Sequence, residues 1–170
     1  NFVGRQCACW PRQCKESTLP VNDSMNKLMD WLPANLPAGD ETTLVHGDYR
    51  LDNLIFHPTE PRVIGVLDWE LSTLGHPLAD LSYQCMGWRI PHDLWRGIGG
   101  LDLAKLGIPS EEQYVKWYGD ATGRDAAGHW DYYIAYNLFR MAAILHGIAQ
   151  RAADGNATAD DAVETGRKAG

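Results

Sequence analysis

The chain has 170 residues, 45% of them hydrophobic and 22% charged, which is enough for one domain with a sizeable core. A formal net charge of -7, with no block of lysine or arginine, excludes nucleic acid as a sequence-independent partner, because binding a phosphate backbone needs a basic face. No apolar run approaches the roughly 20 residues of a membrane span, and the opening NFVGRQCACW lacks the regions of a signal peptide, although the first residue is Asn and a targeting segment would precede it. Four cysteines without a disulfide framework point to a reducing, cytoplasmic setting.

In chain order, residues 3–16 and 24–36 read as helices. In the second, Met25, Leu28, Met29, Leu32 and Leu36 recur at three- and four-residue steps, with Asp23 or Ser24 as the N-cap. Cys7, Cys9, Cys14 and Cys85 do not resemble a disulfide framework. Cys7-x-Cys9-x4-Cys14 has no fourth ligand at a zinc spacing, so the cysteines read as small buried apolar groups. PANLPAGDE then breaks the helix. Short strand-like runs follow at 42–46, 53–57 and 63–68, the last two pairing as a hairpin across HPTEPR.

Pro77 opens a helix over 77–88. Residues 89–109, rich in Gly and Pro, read as irregular. Ser110 and Gln113 have capping-box spacing at the head of a helix over 110–123. Residues 129–153 carry the strongest periodicity, with Trp130, Tyr133, Ile134, Asn137, Leu138, Met141, Leu145 and Ile148 on the buried side. The aromatic residues at helical spacing read as core. DGNAT ends this helix, and a further one begins before Gly170. The expected class is α+β, mainly helical, with small β-hairpins holding one loop.

That loop, HGDYRLDN at 46–53, and the DWE at 68–70 place acids, an amide and a cation at regular intervals. Moving the γ-phosphoryl group of ATP to an alcohol needs a carboxylate to take the hydroxyl proton, oxygen ligands for Mg²⁺, and a cation near the transferring group. His46, Gly47, Asp48 and Asn53 give H-G-D-x-x-x-x-N, and the hairpin then delivers Asp68, as the protein-kinase loop H-R-D-x-x-x-x-N is followed by D-F-G. Arg50 lies where its guanidinium reaches phosphate, although pairing with Glu70 or Asp52 is an equal reading. Glu70, two beyond Asp68, shares its face if the strand persists, and would then assist the metal or hold Arg50.

With the stretches LVHGDYRLDNLIF, VIGVLDWELSTLGHPLADL and HWDYYIAYNLFRMAAIL, the chain resembles the aminoglycoside phosphotransferase family. These are small-molecule kinases of protein-kinase-like fold, and the similarity is greatest to the branch fused to, or encoded beside, acyl-CoA dehydrogenases. The resemblance runs from about residue 5 to about 165. It implies Asp48 as catalytic base, Asn53 and Asp68 as Mg²⁺ ligands beside ATP, His46 as a structural residue of the loop, and Asp80 as the acid that clamps the loop backbone from the next helix. It also implies a small-molecule hydroxyl acceptor, such as a hydroxyacyl compound, and an acyl-CoA dehydrogenase as neighbour or fusion partner.

The smaller kinase lobe, with its Gly-rich loop, strand lysine and helix glutamate, has no counterpart in these residues. The expectation for 1–170 is therefore a C-terminal lobe alone, clipped at its own C-terminus, with weak or no turnover in isolation. Two other readings are open. One is a non-catalytic docking module. The other is a metal-dependent phosphoesterase, disfavoured because neither Asp-x-His nor Gly-Asn-His occurs.

Overall fold

The computed structural model describes residues 3–7, 17–39, 41–94 and 96–154. Within the first expected helix, residues 3–7 are helical (α1); Cys9, Cys14 and the helix expected before Gly170 lie outside the described residues. The next helix, α2 (Asp23–Ala34), starts one residue earlier than either predicted cap allows. Asn22 is the N-cap, its side chain accepting the Met25 amide at 2.8 Å, while Asp23 sits in the first turn where its charge suits the helix dipole. The helix stops at Ala34, because Pro33 offers no amide and Pro37 biases Leu36 toward extended backbone. Leu36 consequently leaves the apolar face and is exposed.

Two small antiparallel sheets follow. β2 (Leu54–Phe56) pairs with β3 (Val63–Val66) as the predicted hairpin. β1 (Thr43–Val45) pairs with β4 (Thr73–Gly75), a strand that the sequence pattern did not suggest. Three residues ending in glycine carry little strand propensity of their own; β1 supplies the partner that makes them a strand. The two sheets enclose the 46–53 loop and the DWE turn.

α3 (Pro77–Cys85) begins with proline at its first turn and gives way to a 3-10 turn, Met86–Trp88. The described residues of 89–109 are irregular apart from one bridge, Pro91 to Gly99. α4 (Glu111–Thr122) has the expected cap, Ser110 Oγ accepting the Gln113 amide at 3.2 Å. α5 (Trp130–Ala153) is the central helix, packing on α3 and α2.

Phe139, Leu32 and Cys85 are fully buried at the join of these helices. Asn137 is buried with them, its Nδ2 donating to Ala79 O at 2.9 Å and to Ser82 Oγ at 2.6 Å, so a polar side chain locks α5 to α3. Not every aromatic residue at helical spacing is core: Trp31 and Trp117 are exposed, which corrects the reading of them as packed positions. The resulting α+β architecture is mainly helical, with the loop of interest held between the sheets and the N-terminal half of α3.

Candidate active site

β1 runs directly into the loop, and the loop's shape follows from Gly47. Its φ is +84°, and a Cβ there would lie 2.5 Å from Leu71 O. Only glycine tolerates both the left-handed backbone and that approach. Leu71 belongs to the 3-10 turn Trp69–Leu71, so this turn presses on one side of the loop. From the other side Asp80, in the first turn of α3, accepts the amide of His46 and, at 2.8 Å, that of Gly47. Its two carboxylate oxygens take one backbone donor each.

His46 is 3% exposed. Its Nε2 donates to Leu67 O at 2.8 Å, and its Nδ1 accepts the Asp48 amide at 3.2 Å, a pattern that requires the Nε2–H tautomer. The ring also lies 4.8 Å from that of Trp69. One imidazole thereby ties the loop to the end of β3.

Asp48 is the focus of the side-chain contacts. Oδ2 accepts from Arg50 Nε at 2.9 Å and from Asn53 Nδ2 at 3.0 Å, and Oδ1 accepts from Tyr83 Oη at 2.7 Å. Asn53 Nδ2 also reaches Asp48 O at 2.8 Å. Both described contacts of the Asn53 side chain thus use its nitrogen, which turns the amide oxygen away from Asp48. Asn53 O accepts the Leu67 amide at 2.8 Å, continuing the Leu54–Val66 pairing of the hairpin by one step. The hairpin register is therefore what brings residue 53 beside the residue preceding Asp68.

Asp68 has φ 63° and ψ 53°, a left-handed conformation that carries about 1–2 kcal/mol of strain in a non-glycine residue. It is exposed, and its carboxylate has no hydrogen bond or ion pair among the described contacts. The reasoning that gave Glu70 the same face as Asp68 fails. β3 ends at Val66, and Asp68 leads into a 3-10 turn, so the alternation of a strand does not apply. Nor does Glu70 hold Arg50, which pairs with Asp48 and, at 3.4 Å, with Asp52. Asp52 also receives Arg96 at 2.7 Å from the irregular segment.

Two residues of the site were not anticipated. Tyr83 reaches Asp48 from α3, and burial first, then the adjacent Asp48, pushes its phenol pKa well above the usual value. Arg140 on α5 donates from Nη2 to Gly47 O at 2.7 Å, with its guanidinium carbon 5.0 Å from the centre of the Tyr83 ring. A signal existed for each. Tyr83 stands three residues after Asp80 on one helix face, and Arg140 is a cation within an otherwise apolar stretch of α5.

A cavity of about 530 Å³ lies elsewhere, between α4 and the start of α5, lined by Arg89, Glu111, Lys116, Arg124 and Trp130 among others and by no residue of the loop. Glu111, buried in its wall, accepts from Trp130 Nε1 at 2.8 Å and from Arg89 Nε at 2.5 Å. Among the described residues, no group of three or more His, Cys, Asp or Glu side chains is placed to hold a metal ion. No described helix is long and apolar enough to cross a membrane.

A glycine-pinned loop carrying an acid and an amide, a hairpin that ends at a second acid, and a helical frame behind them define the larger lobe of a protein-kinase-like fold. The chain belongs to the phosphotransferase enzyme family (APH), whose model matches residues 6–128. It is 42% identical over 169 residues to acyl-CoA dehydrogenase family member 10 of Mus musculus, a match covering 98% of this chain and 16% of that protein. It is 39% identical over 163 residues to acyl-CoA dehydrogenase family member 11 of Homo sapiens, covering 95% of this chain and 21% of that one. Among solved structures it is similar to a candidate aminoglycoside phosphotransferase from Ralstonia eutropha JMP134, with a TM-score of 0.94 and 52% identity over 99% of this chain and 52% of the other. The chain thus spans about half of that solved protein and a much smaller share of the curated relatives.

Proposed function

We propose that this chain is the catalytic lobe of a cytoplasmic, ATP-dependent phosphotransferase that phosphorylates a hydroxyl group. The observation that carries the reading is the Asp48 carboxylate, held by Arg50, Asn53 and Tyr83 at the mouth of a loop clamped by Asp80. An acid so anchored is suited to orient an alcohol and take its proton as the oxygen attacks the γ-phosphorus. The bond from that phosphorus to the bridging oxygen breaks, and ADP leaves. Arg50, already on Asp48, is within reach of the charge that develops on the transferring group.

The donor set suits Mg²⁺. The Asn53 amide oxygen faces away from Asp48, and Asp68 offers an exposed carboxylate with no described partner, both of them hard oxygen ligands. Asn53 and Asp68 would hold the ion, which would supply positive charge to offset that of the ATP phosphates. The strained backbone of Asp68 fits a carboxylate whose direction matters more than its comfort. Glu70, two residues beyond Asp68, has an exposed carboxylate that would assist the ion from the 3-10 turn.

The upstream lobe is part of the proposal. Leu44 and Leu74, directly paired across β1 and β4, are both 64% exposed, and Leu51, Phe56 and Ile64 of the neighbouring loop and hairpin are exposed as well. Exposed apolar side chains paired across a sheet in this way mark a covered surface, and a second lobe in cis is the occupant we assign. On this view the 170 residues alone bind nucleotide weakly. Because relatives named as acyl-CoA dehydrogenases contain a similar segment, we assign a hydroxyacyl compound as acceptor and an acyl-CoA dehydrogenase as fusion or neighbour.

The test is ADP release by the intact protein with Mg·ATP and a panel of hydroxyacyl compounds, amino sugars and choline. Selective turnover of a hydroxyacyl compound supports the assignment. Equal rates with every acceptor, or hydrolysis of a phosphomonoester without ATP, would remove it.

A further inference from the structure

We infer that Tyr83 is a positioning residue that aims Oδ1 of Asp48 at the acceptor hydroxyl, and that Oδ1 is the atom that takes the proton. The inference rests on the reading of Asp48 as the base. Oδ2 already accepts two donors, Arg50 Nε at 2.9 Å and Asn53 Nδ2 at 3.0 Å. Oδ1 accepts only Tyr83 Oη, at 2.7 Å, among the described contacts. A carboxylate oxygen has room for two donors, so the open position for an incoming hydroxyl is on Oδ1.

The contacts on Oδ2 alone leave the carboxylate free to swing, because its terminal torsion is broad. Tyr83 removes that freedom, and Tyr83 is itself immobile. It is 7% exposed, and the Arg140 guanidinium lies 5.0 Å from its ring centre while donating to Gly47 O at 2.7 Å. α3 therefore grips the loop twice, through the backbone by Asp80 and through the base by Tyr83, while α5 seals the second grip. Burial and the Asp48 charge keep the phenol protonated, so it acts as a donor throughout the working pH range. A misdirected base loses rate rather than affinity, since the hydroxyl is still bound but no longer in line.

The experiment is Tyr83→Phe in the intact protein, which keeps the ring and its contact with Arg140. It is assayed alone and on an Asp48→Asn background. Rates are read at about 10 °C, where a variant destabilised by several degrees is still folded. The expected result is a roughly 10- to 100-fold fall in kcat. The KM values for ATP and acceptor stay within about twofold, as uniform binding is untouched. On the Asp48→Asn background Tyr83→Phe should have no further effect, because residues acting through one another are non-additive. An unchanged kcat for Tyr83→Phe, with Asp48→Asn inactive, overturns the positioning role and leaves the base assignment standing. Additive losses would make Tyr83 a structural residue only. Full activity of Asp48→Asn removes the base assignment, and this inference with it.

Discussion

At the residue scale, two backbone conformations carry the site. Gly47 combines φ +84° with a carbonyl 2.5 Å from where a side chain would begin. Gly47→Ala should lower stability by more than the ~1 kcal/mol of an ordinary glycine-to-alanine change, because the neighbouring strand of contacts must also shift. A drop in the urea midpoint at unchanged slope would report it. Asp68 presents the opposite case. Asn tolerates the left-handed region at least as well as Asp, so Asp68→Asn should keep the thermal midpoint while abolishing Mg²⁺-dependent turnover. A large loss of stability in that variant would mean that the carboxylate serves the fold instead. The acids and the amide of this site were legible in their spacing. Tyr83 is hidden despite its three-residue step from Asp80, because a tyrosine at helical spacing reads as core; the structure shows its hydroxyl on Asp48.

At the element scale, the clamp from α3 is the feature that holds the loop. Asp80 satisfies the amides of His46 and Gly47. Asp80→Ala leaves both without that acceptor and should destabilise by about 1–3 kcal/mol, whereas Asp80→Asn, which keeps one acceptor oxygen, should lose less. Chemical denaturation of the two variants side by side checks the order. The helices were legible because their apolar periods are long, and the β2–β3 hairpin because two short apolar runs flank a turn rich in proline. β4 was hidden for a physical reason: three residues have no period, and their strand character comes from β1 across the sheet. The same limit misplaced Glu70, since the end of β3 and the 3-10 turn after it are set by packing around Gly47 rather than by local propensity.

At the scale of the whole molecule, buried acids of the weak kind make the fold sensitive to alkali. Burial first, and then the Glu111 charge, push the Cys85 thiol from 9.0 up to about 12, and burial carries Tyr114 from 10.0 to about 12. Tyr83, Tyr132 and Tyr136 are raised as well, chiefly by burial. Above about pH 9 the unfolded chain releases these protons while the folded chain retains them, so the unfolded state is favoured. The contribution of these groups is fully present below about pH 9 and is lost as pH rises toward 12. The thermal midpoint should therefore fall steadily above about pH 9, and alkylation at Cys85 should appear only where the protein unfolds. The exposed leucines of the β1–β4 sheet belong to this scale too. On the proposal of a second lobe in cis they are the residues it would cover, and each is 64% exposed.

The most direct test of the phosphotransferase account measures nucleotide binding and turnover in parallel, for the intact protein and for Asp48→Asn. The account predicts that Asp48→Asn binds Mg·ATP as the parent does but transfers its phosphoryl group at least about 100-fold more slowly, the scale of general base catalysis. Transfer at the parental rate by Asp48→Asn would contradict it.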